Sequence, residues 1–130
     1  MTYTYTPPPS FGETLLGKTL VECFTADNGG ELHFKTTDGK HYKLNHHQDC
    51  CECVSIESIV GDLADLIGEP LLMAEEVDNP PLPEGHVPPT YDSETWTFYK
   101  LATRRGYVDV RWLGSSNGYY SESVDFDEVK

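Results

Sequence analysis

Turn-forming residues interrupt this chain so often that no long helix fits between them. Asn28-Gly29-Gly30, Asp38-Gly39, Gly68 followed by Pro70, and Asn117-Gly118 cut it into short segments. Gly, Asn and Asp tolerate the backbone conformations that tight turns need, and Pro removes a backbone donor, so such clusters end regular elements. Most intervening segments carry the alternation and the aromatic or β-branched residues of strands. Residues 19–24, 31–36 and 40–44 read as an antiparallel meander joined by short turns. Residues 50–59 suit a strand or the start of a helix, and residues 71–77 suit another strand. A short helical turn is expected at 13–16, ended by Gly17. The best helical signal is 62–67, where Leu63, Leu66 and Ile67 share one face.

Residues 95–102, 106–113 and 119–126 read as three further strands. A two-residue turn at Asn117-Gly118 would mix apolar and polar side chains on one face. A three-residue loop, Ser116-Asn117-Gly118, places Val110 opposite Val124 and Val108 opposite Phe126. That register keeps the apolar side chains together, as a half-buried sheet requires. Its other face carries Tyr107, Asp109, Arg111, Tyr119, Ser121, Ser123 and Asp125, either solvated or forming the floor of a polar site. The expected fold is therefore α+β and mainly β: an antiparallel meander, one short helix near 62–67, and a C-terminal three-stranded antiparallel unit.

A length of 130 residues suits one domain. Residues 1–10, rich in Thr, Tyr and Pro, read as an extended tail, and residues 11–130 as a single globular domain. Within it, residues 78–91 hold five of the nine prolines and read as a long loop.

The chain has 9 basic and 22 acidic side chains, a formal net charge of -13. From residue 44 to 99 there is no Lys or Arg, yet 12 of the acids lie there. Wrapping a nucleic acid needs cations to neutralise phosphates, so no nucleic-acid partner is expected. No apolar run reaches the roughly 18 residues of a membrane span, and the N-terminus lacks the pattern of a secretory signal. A cytoplasmic protein without membrane contact is expected.

The richest chemistry lies in His46-His47-Gln48-Asp49-Cys50-Cys51-Glu52-Cys53. In an extended chain His47, Asp49, Cys51 and Cys53 point one way, and these are ligand types for zinc. Their spacing lacks the second Cys/His pair of structural zinc sites. Cys51 and Cys53 also suit an apolar inner face, as buried cysteines often do. A disulfide between neighbours Cys50 and Cys51 is awkward to close. The types for nucleophilic catalysis are present, but no catalytic motif is, so catalysis is not the expectation. His46 and His47, flanked by Asn45, Gln48 and Asp49, suit either a solvated corner or a polar recognition site. Tyr120 reads as core. Tyr119 could stack on a planar ligand and Arg111 could meet a negative group, unless Arg111 pairs with Asp109 or Asp125.

The run at 46–52, the segment Gly61-Asp62-Leu63-Ala64-Asp65-Leu66-Ile67-Gly68-Glu69-Pro70, residues 95–103 and Ser116-Asn117-Gly118-Tyr119-Tyr120-Ser121 together resemble a family of small uncharacterised proteins of tailed bacteriophages and bacteria. The likeness spans roughly residues 13–126. It departs at Cys53, where a small polar residue is expected, and at the Pro-rich insertion 80–89. The resemblance carries over no activity and no catalytic residue. It implies an accessory protein that blocks a host process, either by binding a protein or by sequestering small nucleotide signals of bacterial immunity, in pockets often built between subunits.

The resulting expectation is a non-catalytic, phage-type protein that sequesters a small polar ligand, for instance a nucleotide immune signal, without a cofactor. Its site residues are His46, His47, Asp49, Arg111, Tyr119 and Ser121. The alternatives are an acidic inhibitor of a host protein, and a zinc-binding domain using His47, Asp49, Cys51 and Cys53. A homo-oligomer is compatible with each.

Overall fold

In a computed structural model, which describes residues 10–89 and 92–130, the chain forms eight antiparallel strands in two four-stranded sheets. The first sheet has the order β1 (Leu20–Ala26), β2 (Glu31–Thr36), β3 (His41–Asn45) and β8 (Asp125–Glu128). The second has the order β4 (Cys53–Val60), β7 (Gly106–Ser116), β6 (Ser93–Thr103) and β5 (Met73–Asp78). The expected tail, apart from Ser10, lies outside the described residues, as do Thr90 and Tyr91 of the Pro-rich loop. Among the described residues no helix is long and apolar enough to cross a membrane.

The inner faces of the sheets bury one core. Leu32, Phe34, Leu44 and Phe126 come from the first sheet, and Tyr99, Leu101, Val110 and Trp112 from the second. These residues alternate with outward-facing ones, so the period-2 pattern places them. A bulge at Val21 breaks the alternation in β1, and Val21 and Glu22 both face solvent. One edge of the core is closed by a short helix, α1 (Phe11–Leu15). Phe11 fits edge-on against Phe34, Tyr99 and Phe126, with ring centroids 6.0, 4.8 and 5.5 Å away. Burying an aromatic ring of this size contributes roughly 2–3 kcal/mol, which anchors an otherwise marginal five-residue helix.

The mainly β class and the N-terminal meander hold. Two finer expectations change. The helix near 62–67 is a single 3-10 turn, Leu63–Leu66, with the Asp62 side chain accepting from the Ala64 N–H at 2.9 Å. Gly61 and Gly68 bracket too few residues to repay the cost of nucleating an α-helix. Leu66 is still buried, as the apolar face required.

The C-terminal three-stranded unit does not form. β6 and β7 pair as expected, but β8 leaves them and pairs with β3, placing Phe126 opposite Leu44 rather than Val108. The intended seat for that strand is already taken, because β4 lies along the free edge of β7. Residues 117–124 instead fold over the end of the β6–β7 hairpin. Their anchor is Glu122, buried and accepting from the hydroxyls of Ser116, Thr95 (2.8 Å) and Ser93 (3.3 Å). Gly114 permits this approach: a Cβ there would lie 2.5 Å from the Glu122 carbonyl oxygen. We therefore expect Gly114→Ala to cost about 1–3 kcal/mol through overpacking. Urea unfolding checks this; an unchanged midpoint would mean that the segment is not seated on β7.

Candidate ligand-binding groove

The 46–53 loop links β3 to β4, and its histidines have separate tasks. His46 is buried. Its Nδ1 donates to the Ser123 carbonyl oxygen and its Nε2 meets Glu52 Oε2, both at 2.8 Å. Glu52 is the hub of the loop. It also accepts from the backbone N–H groups of Asp49 (3.0 Å) and Cys50 (2.8 Å) and from Gln48 Nε2 (3.1 Å). Burial pushes this carboxyl up, but the Cys50 N–H, the His46 ring and neighbouring amides outweigh it and hold it down at about 2.

His47 is exposed and clasps β8. Its backbone N–H donates to Asp125 Oδ2 (2.9 Å) and its Nε2 to Asp127 Oδ2 (2.7 Å). The bond to Asp127 raises its pKa. Burial pushes the Asp127 carboxyl up, while Asn45 and His47 more than offset this and lower it.

The remaining expected site residues scatter. Asp49 is exposed. Arg111 lies on the outer face of the second sheet, pairing with Asp109 at 3.2 Å and covering the Phe98 ring at 5.0 Å. Its strand neighbours Val110 and Trp112 point into the core, so Arg111 points away from it. Tyr119 is 82% exposed and rests against Tyr120, which is only half-buried and lies outside the core. Of the six, His47 and Ser121 line the larger grooves, and Arg111 does not join them.

The residues of the zinc alternative, except His47, lie apart from the larger grooves. Cys51 is bonded to Cys50, so the awkward neighbour disulfide is the one present. Cys51 and Cys53 are exposed rather than packed on an inner face. Among the described residues no three His, Cys, Asp or Glu side chains are grouped to hold a metal ion. Cys23 is the cysteine that behaves as a small hydrophobe: it packs on the core, and burial pushes its thiol up to about 12.

Where β8 and the 117–124 segment cross the open side of the two sheets, they leave a groove of two adjoining lobes. The first, about 570 Å³, lies between the start of α1, His47, Glu76 and residues 124–127. The second, about 390 Å³, lies between Glu76, Asp78, the Thr95–Thr97–Tyr99 face of β6 and residues 121–124. Glu76 and Val124 line both. Tyr99 Oη is buried at this wall beside the Glu76 carboxyl and, apart from that carboxyl, has no hydrogen-bond partner among the described residues. Burial, together with the nearby Glu76 and other carboxylates, raises its pKa. The Glu76 carboxyl is itself raised, chiefly by desolvation.

Reading the sequence missed Glu76, Tyr99 and Glu122. Glu76 falls on the inward side of β5, in step with buried Ala74. A carboxylate at a core-facing position was the available signal.

The structure thus defines a two-sheet antiparallel β protein with an acidic groove at the open side of its core. The profile of the family described as Domain of unknown function (DUF7448) matches residues 13–126, and the chain belongs to that family. Comparison with the curated proteins and with the solved structures found no match.

Proposed function

We propose that the protein is a non-catalytic, phage-type accessory protein that acts in the cytoplasm by capturing a small polar ligand in the two-lobed groove. The observation that carries this reading is Tyr99 Oη, a buried hydroxyl with only the Glu76 carboxyl beside it among the described residues, at the wall of a groove rich in carboxylates and hydroxyls. Buried polar groups are nearly always hydrogen-bonded, and a small polar ligand seated in the groove would complete the bonding of this one. The lining favours capture over turnover: the His47 ring is held by Asp127 at 2.7 Å, with Asp125 at 3.6 Å, and among the described residues no cysteine lines either lobe.

Native mass spectrometry of the protein from bacterial cells tests this. The expected result is an added mass of small-molecule size that Tyr99→Phe diminishes. The bare chain mass, or a complex only with a host protein, overturns ligand capture; the second outcome points to the acidic protein-binding inhibitor.

A further inference from the structure

Apart from the His47 imidazole in the first lobe, the charged side chains that line the groove are acidic. Glu76 and Asp78 of β5, Glu122, and Asp125 and Asp127 of β8 all contribute carboxylates. Among the described residues no Lys or Arg lines either lobe. Among the described residues Glu76, Asp78 and Glu122 make no salt bridge, and Asp125 and Asp127 pair only with His47. A phosphate placed here would meet several carboxylates, offset only by the His47 imidazole that Asp127 already holds, so the lining opposes an anionic nucleotide.

The carboxylates are also spread along the groove rather than gathered. No set of three is positioned to close around a metal ion among the described residues. An ammonium group needs less: one carboxylate and one further acceptor satisfy it through charge-assisted hydrogen bonds. Glu76 beside Tyr99 Oη offers that pair at the wall between the lobes. The hydroxyl can donate to the carboxylate and accept from the ammonium. Phe11, Val124 and Phe126 also line the first lobe and suit a methylene chain. Resting on the capture reading above, we infer that the ligand is an aliphatic amine with two or more ammonium groups, one held near Glu76 and Tyr99 and another near Asp125 and Asp127.

The test is calorimetric titration of the full chain with spermidine, alongside ADP as an anionic nucleotide. Spermidine is expected to bind one per chain and to weaken with added salt. Glu76→Gln and Tyr99→Phe, each checked for folding by circular dichroism, are expected to weaken it about tenfold, the scale of one charge-assisted hydrogen bond. Glu57→Gln, an acid on β4 outside both lobes, is expected to leave it unchanged. Equal weakening by Glu57→Gln would mean diffuse attraction to an acidic surface and would overturn the inference. ADP binding that responds to Tyr99→Phe, with no spermidine binding, would overturn the amine and keep the groove. No binding of spermidine or ADP, together with a bare chain mass from cells, would remove both.

Discussion

Gly61→Ala is expected to destabilise the protein by about 3–5 kcal/mol, combining left-handed backbone strain with overpacking. Gly61 ends β4 with φ +107, a conformation that side chains rarely adopt. A Cβ there would sit 2.4 Å from the Tyr107 carbonyl oxygen and 3.2 Å from Val108 Cα. These obstacles are backbone, and they cannot move aside cheaply: Val108 is fully buried and β7 is held by β4 and β6 on its two sides. Retreat of residue 61 is also costly. The 3-10 turn that follows seats Leu66 in the core, and Gly68 N–H and Leu20 carbonyl oxygen bond at 2.9 Å to tie that segment to β1. Equilibrium unfolding in urea checks the value. A loss below about 1 kcal/mol would show that the turn can be rebuilt and that the junction between the sheets is looser than described.

Acid is expected to unfold the protein through the 46–53 loop, and Glu52→Gln is expected to remove much of that pH dependence. Glu52 is held at about 2 in the folded protein against an ordinary value of 4.5. The unfolded chain therefore binds the proton first as pH falls. The stabilisation is present above the ordinary value and is lost between about 4.5 and 2. Asp38, lowered to about 2 by the Thr36 hydroxyl and Lys18, and the lowered Asp127 and Glu31 act in the same direction. Glu76, which is raised, acts weakly against them.

In Glu52→Gln an amide nitrogen must replace one oxygen. Whichever oxygen it replaces then faces N–H donors, from Asp49 and His46 or from Cys50 and Gln48. The variant is expected to be weaker at neutral pH yet to lose less on transfer to about pH 3. As a control, Cys50→Ser/Cys51→Ser is expected to leave the unfolding midpoint nearly unchanged. A disulfide between adjacent residues closes almost no chain and so restricts the unfolded state little. Urea midpoints at the two pH values decide. An acid limb in Glu52→Gln as steep as in the parent would place the titrating group elsewhere.

The meander was legible because its signals are local. Asn28-Gly29-Gly30 and Asp38-Gly39 set the turns, and the alternation of Leu32, Phe34, Tyr42 and Leu44 set the buried face. β2 begins and ends at the expected residues. The pairing of β6 with β7 was legible for the same reason. The place of β8 was not. Val124 and Phe126 present an apolar edge that fits β7 or β3 equally well by pattern, and only the competition of β4 for β7 separates the two. That competition acts over more than fifty residues of sequence.

The site shows the same division. His46 and Gln48 both bond Glu52, although the loop that holds them is not a strand. His47 and Ser121 were singled out for their polarity and do line the groove, in separate lobes. Arg111 pairs with Asp109 Oδ2 on the outer face, the bland alternative that its sequence neighbours had offered.

Turn chemistry and period-2 patterning, both short-range, were enough to establish from the residues alone a mainly β chain with an acidic surface. The meeting of Glu76, Tyr99, Glu122 and Asp127 on one groove was decided only when β8 crossed to the first sheet. These residues come from β5, β6, the 117–124 segment and β8, and nothing short of the packed sheets brings them together.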